Sequence, residues 1–393
     1  MIRETINIVG LGYIGLPFAL LLSSKGYEVI GTDIDTKKIE LLKSGNFISE
    51  ERDINKLYKS ERKKSKIIYT SQFIHSDIFI LCLPTPLTKN KKCDLKFIMN
   101  AINEIINLLK KNNTIIIEST VPIGTTNKII KYVFSKRPDL NNKVNFCFIP
   151  EKAIPGSTIK EIQNNTRIIG SEKKIFNKIK HIYKSITKNK ILNYSIEEAE
   201  ASKLIENSFR DNQIAFSNFI DHHLKKKKLD SVKIFGICNK HPRVNLLNPS
   251  IGVGGHCIPI DPYFLNINDK NNMIRLARKI NDNKIGQISK KIKKIIKKSK
   301  RSICFWGLGY KPGSKDLRES PAIKILKKIK LKKNHYITDP YYKEIKGKTI
   351  FKNRFIHPLV SLKKCSLHII LNLEKAYIKK NLYKKNYILA QNI

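Results

Sequence analysis

The sequence predicts an α/β protein with two doubly wound parallel-sheet domains joined by a long central helix. Short apolar strands alternate with helical segments in both halves of the chain, which is typical of parallel sheets covered on both faces. A strand, a glycine-rich turn and a helix follow one another twice, at GLGYIGLP and at GLGYKPG. A segment from Glu197 contains no glycine or proline before Gly236, which favours a long helix between the domains.

The first domain opens with the strand TINIV and the turn GLGYIGLP, in which Gly10, Gly12 and Gly15 form G-x-G-x-x-G. An apolar helix follows, and then the strand EVIGTDID, with Asp33 at its end. This Rossmann-like order binds dinucleotides, because the helix N-terminus holds the pyrophosphate and the acid accepts hydrogen bonds from the ribose. The Asp33 carboxylate would repel a 2′-phosphate, so the sequence predicts NAD rather than NADP as the cofactor.

Three more strands and two helices continue this domain. The strands are predicted at 77–84, 114–120 and 144–150, and the helices at 96–111 and 125–134. Thr85 and Thr120 lie at or just past two strand ends, where open α/β sheets bind ligands. Ordinary strand-to-loop chemistry explains the two threonines about equally well. RIIG at 167–170 and a helix to about Lys188 complete the domain.

The central helix carries a polar stripe. Lys203, Asn207 and Arg210 are four and three residues apart, so they share one face of the helix. One interpretation is a polar surface stripe. The other is a pocket in which Lys203 acts as a base or an oxyanion partner. A helix of this kind is also a natural dimer element, so we expect at least a homodimer.

The stretch SIGVGGHCIPIDP places Cys257 behind a glycine-rich loop and ahead of a turn with Asp261. Gly252, Gly254 and Gly255 let the backbone approach a ligand closely, because no Cβ intervenes. A thiol held there acts as a nucleophile once it is ionised. The alternative is a small buried cysteine in a tight turn.

The C-terminal part predicts a second, smaller α/β domain. A helical passage from 273 to 299 leads into the strand ICFWG, the loop GLGYKPG and a helix that starts at Ser320. Lys311, Arg318 and the start of this helix make a second expected anion site. ITDP and LHIILNL are further predicted strands. The predicted domains are 1–190 for NAD, 191–285 for catalysis and dimerisation, and 286–393 for the substrate.

The net charge of +44, from 76 basic and 32 acidic residues, is the balance expected of a nucleic-acid binder. Only 12 of the basic residues are arginine, however, and the lysines are spread along the whole chain. Nucleic-acid surfaces cluster their charge and use arginine forks for phosphates. We therefore interpret the lysines as a compositional bias and expect no nucleic-acid partner.

The chain is expected to be a soluble cytoplasmic protein without a membrane partner. No apolar run reaches the ~18 residues that span a bilayer, and the N-terminus passes almost directly into a strand. The seven cysteines are scattered, with no CxxC pair. They suggest neither a disulfide framework nor a metal site.

The motifs GLGYIGLP, LPTP, ESTVPIGTT, KLIENSFR, GVGGHCIPIDP and YKPGSKDLRESP occur in this order along the chain. Together they resemble the UDP-glucose/GDP-mannose dehydrogenase family over nearly the whole length. The resemblance implies a four-electron oxidation of a primary alcohol to a carboxylate with two NAD. NSFRDNQIAFSN and NKHPRVNLL are most similar to members that act on UDP-N-acetyl-D-mannosamine. UDP-N-acetylglucosamine and UDP-glucose are the alternative substrates.

The resemblance also implies roles for individual residues, with some substrate contacts from a neighbouring subunit. The implied catalytic residues are Cys257 as nucleophile, Lys203 for the proton and the oxyanion, Glu151 as base for thioester hydrolysis, and Asn207, Asp261 and Thr120 around them. The implied NAD contacts are Gly10, Gly12, Tyr13, Ile14, Gly15, Asp33, Thr85, Thr126 and Arg318. The implied substrate contacts are Lys152, Ala153, Lys203, Asn207, Arg210, His241, Arg243, Gly254, Tyr310 and Lys311.

Two stretches depart from the family pattern. Lys152 and Ala153 stand where an arginine and a larger aliphatic residue are expected, and the C-terminus NYILAQNI lacks the usual aspartate and terminal arginine. These departures keep open a second reading, a non-catalytic nucleotide-sugar binder. The presence of Cys257, Lys203, Asn207 and Glu151 together argues against it.

Overall fold

The computed structural model of the chain describes residues 4–64, 67–267, 269, 271–299, 301–382 and 386–392. The chain divides into two compact units. The N-terminal unit holds the residues up to Ile205 together with Tyr263–Asn266, and the C-terminal unit holds Glu206–Pro262 and the chain from Ile267 onward. Within the ranges described, none of the helices has both the length and the apolar character needed to cross a membrane.

The regular elements are numbered along the chain. The strands are β1 Thr5–Val9, β2 Glu28–Thr32, β3 Ile67–Thr70, β4 Ile78–Leu81, β5 Thr114–Ile117, β6 Asn145–Phe148, β7 Arg167–Ser171, β8 Ile191–Tyr194, β9 Ile303–Trp306, β10 His335–Thr338, β11 Leu367–Ile370 and β12 Tyr387–Leu389. The α-helices are α1 Gly15–Ser24, α2 Thr36–Ser44, α3 Arg52–Lys63, α4 Lys96–Ile106, α5 Thr125–Lys136, α6 Thr158–Asn164, α7 Lys173–Ile186, α8 Ile196–Lys226, α9 Ser231–Cys238, α10 Asp261–Phe264, α11 Met273–Lys298, α12 Pro321–Ile329, α13 Tyr342–Ile345, α14 Pro358–Lys364 and α15 Lys375–Leu382.

The N-terminal unit is built on an eight-stranded sheet in the order β3-β2-β1-β4-β5-β6-β7-β8. All neighbouring strands are parallel except β6 and β7. The antiparallel pair arises because the connection over 149–166 returns the chain to the sheet at the end where β6 finishes. The predicted α/β class with a doubly wound parallel sheet is confirmed, with this one reversed neighbour.

The central strands are buried on both faces. All four residues of β4 and all four of β5 are buried, as expected where helices cover both sides of a parallel sheet. Two separate hydrophobic clusters form, one with α1 and α7 and the other with α4 and α5. The sheet thereby holds the ends of β1, β2, β4 and β5 side by side at one edge.

The C-terminal unit contains a four-stranded parallel sheet in the order β10-β9-β11-β12. α11 packs on this domain through isoleucines at helical spacing, with Ile285, Ile288, Ile292 and Ile296 buried. Lysines between them, such as Lys290 and Lys294, face solvent. The dense lysine run of α11 is therefore the solvated face of an amphipathic helix.

The 31-residue α8 confirms the predicted long central helix, and it passes through the boundary between the two units. Its first turn carries Glu197 and Glu198 and its last turn carries lysines. This arrangement suits the helix dipole at both ends. Two strands that the sequence did not suggest, β3 and β8, lie at the edges of the large sheet, and none of their residues is buried.

Candidate active site

In the glycine turn after β1, Gly10 and Gly15 lie close to neighbouring backbone atoms, whereas Gly12 faces open space. A Cβ on Gly10, whose φ is +94°, would lie 2.7 Å from the Cys82 carbonyl oxygen. A Cβ on Gly15 would lie 1.8 Å from the Gly10 carbonyl oxygen. Gly12 is different, because no heavy atom lies within 4 Å of its Cβ position. Gly10 and Gly15 therefore pack the turn against the sheet and α1, while Gly12 leaves room for a pyrophosphate in front of the helix.

Asp33 follows β2 and organises this turn. Its Oδ2 accepts the Leu11 amide proton at 2.9 Å, and its Oδ1 accepts the Asp35 amide proton at 3.0 Å. Lys38 of α2 donates to Asp33 Oδ2 at 2.8 Å. Sequence reasoning missed Lys38, although its place one helical turn after the acid was readable. The carboxylate is held where a ribose would lie beside the turn, with a cation next to it.

Of the three predicted site threonines, Thr85 and Thr120 contact each other, whereas Thr126 contacts α8. Thr85, after β4, donates its hydroxyl to the Thr120 carbonyl oxygen at 2.8 Å, so the ends of β4 and β5 are joined. Thr126 instead donates its amide and hydroxyl to buried Glu200 of α8, at 2.9 and 2.7 Å. Glu200 also accepts the Gly124 amide proton at 2.5 Å and so occupies the N-terminus of α5. In this structure Thr126 holds α8, and its NAD contact stays a prediction.

The other predicted NAD contacts of this unit lie on the turn itself. Tyr13 is exposed and Ile14 half-buried, and Ile14 is the residue immediately before α1. The start of α1 has no side-chain cap. The turn, the start of α1, Asp33 and Lys38 suit a dinucleotide with a ribose at the acid. NAD therefore fits the residues present.

Glu151 lies buried after β6, and both of its carboxylate oxygens are engaged. Oε1 accepts the amide protons of Lys152 and Ala153 at 2.6 and 2.7 Å. Oε2 accepts a 2.6 Å ion-paired hydrogen bond from Arg167 of β7. Sequence reasoning missed Arg167, because nothing in the sequence ties residue 167 to residue 151. The carboxylate shapes the backbone at Lys152 and Ala153, both half-buried in this unit.

A second buried carboxylate adjoins this pair. Tyr183 of α7 donates its hydroxyl to Glu118 Oε1 at 2.6 Å, and the Cys82 thiol donates to Glu118 Oε2 at 3.3 Å. The Arg167 guanidinium lies 5.9 Å from the Tyr183 ring centre. Burial raises the pKa of Glu118 to about 7, against the opposing charge of Arg167 and with a further rise from Glu151. Glu118 is thus a buried acid that titrates near neutral pH.

In the C-terminal unit, the glycine loop presents Cys257 at the surface. Cys257 is exposed, and its carbonyl oxygen accepts the Ile260 and Asp261 amide protons, both at 2.9 Å. A Cβ on Gly254 or Gly255 would lie 2.9 or 3.0 Å from Tyr310. The bare backbone therefore packs against Tyr310 itself. Burial raises the pKa of Tyr310, and the charges of Asp316 and Cys257 add to that rise.

Asn207 and Asp261 meet behind this loop. Asn207 of α8 donates from Nδ2 to Asp261 Oδ2 at 2.5 Å, and both residues are buried. Lys203, one turn earlier on α8, is buried as well, whereas Arg210 is exposed. The predicted polar stripe of α8 is therefore not simply a surface stripe.

Three further predicted residues lie in the C-terminal unit: Arg318, expected to contact NAD, and His241 and Arg243, expected to contact the substrate. Arg318 forms a bidentate ion pair with Asp316, with a closest distance of 2.6 Å, and the Arg318 carbonyl oxygen accepts the Gly255 amide proton at 3.1 Å. His241 and Arg243 are exposed on the loop after α9. Within the part of the chain that the structure describes, no hydrogen bond links either side chain to the Cys257 loop.

The turn after β9 repeats the first glycine turn in detail. The Gly307 amide donates to the Thr338 carbonyl oxygen at 3.1 Å, as the Gly10 amide donates to Thr32 at 2.8 Å. The Leu308 amide donates to Asp339 Oδ2 at 2.8 Å, as Leu11 does to Asp33. The opening is missing, however. A Cβ on Gly309 would lie 2.0 Å from the Ser314 carbonyl oxygen, so the chain itself fills the place that is open at Gly12.

Comparison with known proteins accounts for both glycine turns. Residues 4–187 match the NAD binding domain of the UDP-glucose/GDP-mannose dehydrogenase family, 197–283 match its central domain and 304–390 match its UDP binding domain. The chain belongs to the UDP-glucose/GDP-mannose dehydrogenase family. The resemblance read from the motifs is thereby confirmed. Membership of this family also confirms two further predictions: the chain is an oxidoreductase, and its cofactor is NAD.

Individual family members are similar over most of their length. UDP-N-acetyl-D-mannosamine dehydrogenase of Methanocaldococcus jannaschii is 38% identical over 92% of this chain and 82% of its own. The structure of UDP-D-ManNAc dehydrogenase from Pyrococcus horikoshii has a TM-score of 0.83 at 29% identity, covering 99% of both chains. The native UDP-N-acetyl-mannosamine dehydrogenase of Staphylococcus aureus has a TM-score of 0.83 at 31% identity, covering 94% of this chain and 88% of that one.

Proposed function

We propose that the protein oxidises the C6 alcohol of UDP-N-acetyl-D-mannosamine to the carboxylate, in two steps, with Cys257 as the nucleophile. The observation that carries the proposal is the Cys257 loop, in which an exposed thiol follows a bare glycine backbone that packs against Tyr310. The names of the similar proteins support this sugar. The UDP binding domain that residues 304–390 match supports a UDP-sugar substrate.

The chemistry suits these side chains. NAD, when bound, supplies the hydride acceptor for both oxidations. The first oxidation removes a hydride from C6 and a proton from the hydroxyl, giving an aldehyde. The Cys257 thiolate adds to this aldehyde and forms a C–S bond, because an aldehyde alone has no tetrahedral carbon that can expel hydride. Loss of the second hydride gives a thioester, and water then releases the acid and the thiol.

The buried polar residues of α8 have roles in the same scheme. Lys203 is proposed to handle the hydroxyl proton and to stabilise the oxyanion of the thiohemiacetal. Asn207 and Asp261, joined at 2.5 Å, are proposed to orient Lys203 and the hydrolytic water. Thr120, whose carbonyl oxygen is hydrogen-bonded to Thr85, is proposed to act in the same way.

Glu151 is proposed as the base that activates water against the thioester. A carboxylate offers about four acceptor positions. Three are taken, by Lys152, Ala153 and Arg167. Among the described residues no other donor occupies the fourth position, which we assign to a water molecule that the fixed geometry of the other three would aim. Lys152 and Ala153, together with Arg210, His241, Arg243, Gly254, Tyr310 and Lys311, are proposed to bind the UDP-sugar.

The domain roles follow the same division. We assign NAD binding to 1–190, catalysis and dimerisation to 191–285, and UDP-sugar binding to 286–393. The matches at 4–187, 197–283 and 304–390 fall one within each of these ranges and support the assignment. The filled turn at Gly309 agrees with it, since the second domain has no opening for a dinucleotide pyrophosphate there.

A homodimer through α8 is part of the proposal. Phe209, Phe216 and Phe219 of α8 are 60%, 53% and 47% exposed. Their spacing of seven and three residues keeps them within about 80° of one another around the helix. Several large apolar side chains exposed on one helix face mark a protein–protein contact. We assign a second copy of this chain to that face.

The substrate is tested by initial rates of NAD reduction with a panel of sugars. We expect UDP-N-acetyl-D-mannosamine to give the highest kcat/KM, above UDP-N-acetylglucosamine and UDP-glucose. An N-acetylgalactosamine nucleotide belongs in the panel, because a relative from Ralstonia nicotianae, 34% identical over 82% of this chain, is named NDP-N-acetyl-D-galactosaminuronic acid dehydrogenase. A higher kcat/KM for any of these three would overturn the assigned sugar and leave the cysteine chemistry intact.

A further inference from the structure

The start of the Cys257 loop is anchored to α8 through one buried amide. The Ser250 amide donates to Asn218 Oδ1 at 2.9 Å, and Asn218 is only 1% exposed. The Ser250 hydroxyl in turn donates to the Gly252 carbonyl oxygen at 3.0 Å. Asn218 therefore fixes the backbone from which the glycine loop departs.

The same Asn218 amide is fixed from its other side by α11. Asn218 donates from Nδ2 to Asn281 Oδ1 at 3.0 Å, and Asn281 donates from Nδ2 to Asp211 Oδ1 at 2.8 Å. Arg278 completes the chain with a 2.6 Å ion pair to the same Asp211 oxygen. All four residues are buried, so each lost partner leaves an unsatisfied polar group away from water.

The backbone of the Cys257 loop packs closely against α11. Gly252 has a φ of +137°, and a Cβ there would lie 2.9 Å from Ile285 Cγ1 of that helix. Further along, the Gly255 amide is bound to Arg318, and Gly254 packs against Tyr310. Between its anchor at Ser250 and the thiol, the backbone is therefore seated directly on its neighbours.

We propose that Asp211, Asn218 and Asn281 are positioning residues that hold the Cys257 loop in its reactive place. None of them touches the proposed reacting atoms. They act by fixing Ser250, seven residues before the thiol. The proposal rests on the proposed function in treating Cys257 as the nucleophile. Misplacing a reacting atom by about 1 Å can cost on the order of a hundredfold in rate, so small movements at Ser250 matter.

The test compares Asn218→Ala with Lys284→Met in the full-length protein. Lys284 is a matched control, because it joins α11 to α8 through Asp221 at 2.6 Å, one turn further along each helix. Asp221 has no hydrogen bond to the loop among the described residues. Two readouts are measured: hydrogen exchange of the amides from Ser250 to His256, and kcat with saturating sugar and NAD. Thermal midpoints show how much stability each variant has lost.

In Asn218→Ala we expect loop exchange to quicken at least about tenfold and kcat to fall at least about tenfold, with KM for NAD within about twofold. Asn218→Asp keeps the acceptor for Ser250, so Ser250 exchange should stay slow. Lys284→Met should change neither readout by more than about twofold. If Asn218→Ala does not fold, Asn281→Ser should shift both readouts in the same direction.

Equal exchange and equal kcat in Asn218→Ala and Lys284→Met would overturn the positioning role. The exchange measurement needs no substrate. If the unmodified protein turns over no sugar, the proposed function fails, and exchange alone still decides whether Asn218 holds the loop.

Discussion

At the scale of single residues, Asp33 and Asp339 occupy equivalent places after two glycine turns and can be compared directly. Each follows the second strand of its sheet, and each accepts one amide proton from its glycine turn and one from the residue two positions on. Among the described residues, Asp33 also carries an ion pair, with Lys38, whereas Asp339 carries none, and of the two turns the one at Asp33 is open at the middle glycine. The shared hydrogen bonds are therefore structural, and we propose that the differences mark the cofactor site.

Asp33→Asn is expected to raise KM for NAD about tenfold and to narrow the preference for NAD over NADP by at least about tenfold. An amide oxygen can still accept from Leu11, but the charge that repels a 2′-phosphate and pairs with Lys38 is gone. Steady-state kinetics with both cofactors measure the ratio. Asp339→Asn is the control and should leave the ratio unchanged. An unaltered ratio in Asp33→Asn would contradict the assignment of Asp33.

Glu118 gives a prediction about pH. Its folded pKa of about 7 lies above the ordinary glutamate value near 4.3. Between these values the folded protein binds a proton that the unfolded chain has released, so the free energy of unfolding falls as pH rises. From pH 5 to 8 the unmodified protein should lose roughly 1–3 kcal/mol relative to Glu118→Gln. Urea unfolding at both pH values measures this, and a constant difference between the two proteins would refute it.

The sequence singles out candidate site residues more readily than the residues that hold them in place. Cys257, Asp33 and the glycines sit in motifs whose local spacing is informative. Arg167, Asn218 and Glu200 act on residues between 16 and 74 positions away, as their bonds to Glu151, Ser250 and Thr126 show. Such pairings depend on strand order and helix packing. A single sequence does not reveal which residues so far apart in the chain form hydrogen bonds with each other.

At the scale of elements, the two glycine turns have the same backbone hydrogen bonds, but only the space at Gly12 is open. Gly12→Ala places its Cβ in open space, so the free energy of unfolding should change by about 1 kcal/mol or less. KM for NAD should nevertheless rise about tenfold, because the methyl group occupies the pyrophosphate position. Gly309→Ala meets the Ser314 backbone and should lose about 1–3 kcal/mol or more, without a change in KM for NAD. Denaturant unfolding and kinetics on both variants check this, and unchanged NAD kinetics in Gly12→Ala would remove the turn from the cofactor site.

Buried elements were predictable and edge elements were not. The predicted strands at 5–9, 77–84 and 114–120 contain β1, β4 and β5, whose continuous apolar runs reflect burial on both faces. β3 and β8 pair on one side only and contain no buried residue, so their sequences give a weak signal. The reversal of β7 was not predictable either, because strand direction depends on where the connection returns.

At the scale of the whole molecule, the apolar face of α8 predicts the state of association. The double variant Phe209→Lys and Phe216→Lys should sediment as a monomer where the unmodified protein sediments as a dimer or larger assembly. Ile48→Lys, at a side chain that is 83% exposed in the N-terminal unit, is the matched control and should keep the native mass. Analytical ultracentrifugation decides. A double variant that keeps the native mass would place the interface elsewhere.

A four-electron oxidation through Cys257 is tested by counting the NADH formed per UDP-N-acetyl-D-mannosamine consumed. We expect two NADH per sugar for the unmodified protein. We expect no net acid from Cys257→Ser, which should still bind the sugar and NAD. Undiminished acid formation by Cys257→Ser would contradict the thioester route. No turnover of any UDP-sugar by a folded sample that binds NAD would contradict the enzyme itself.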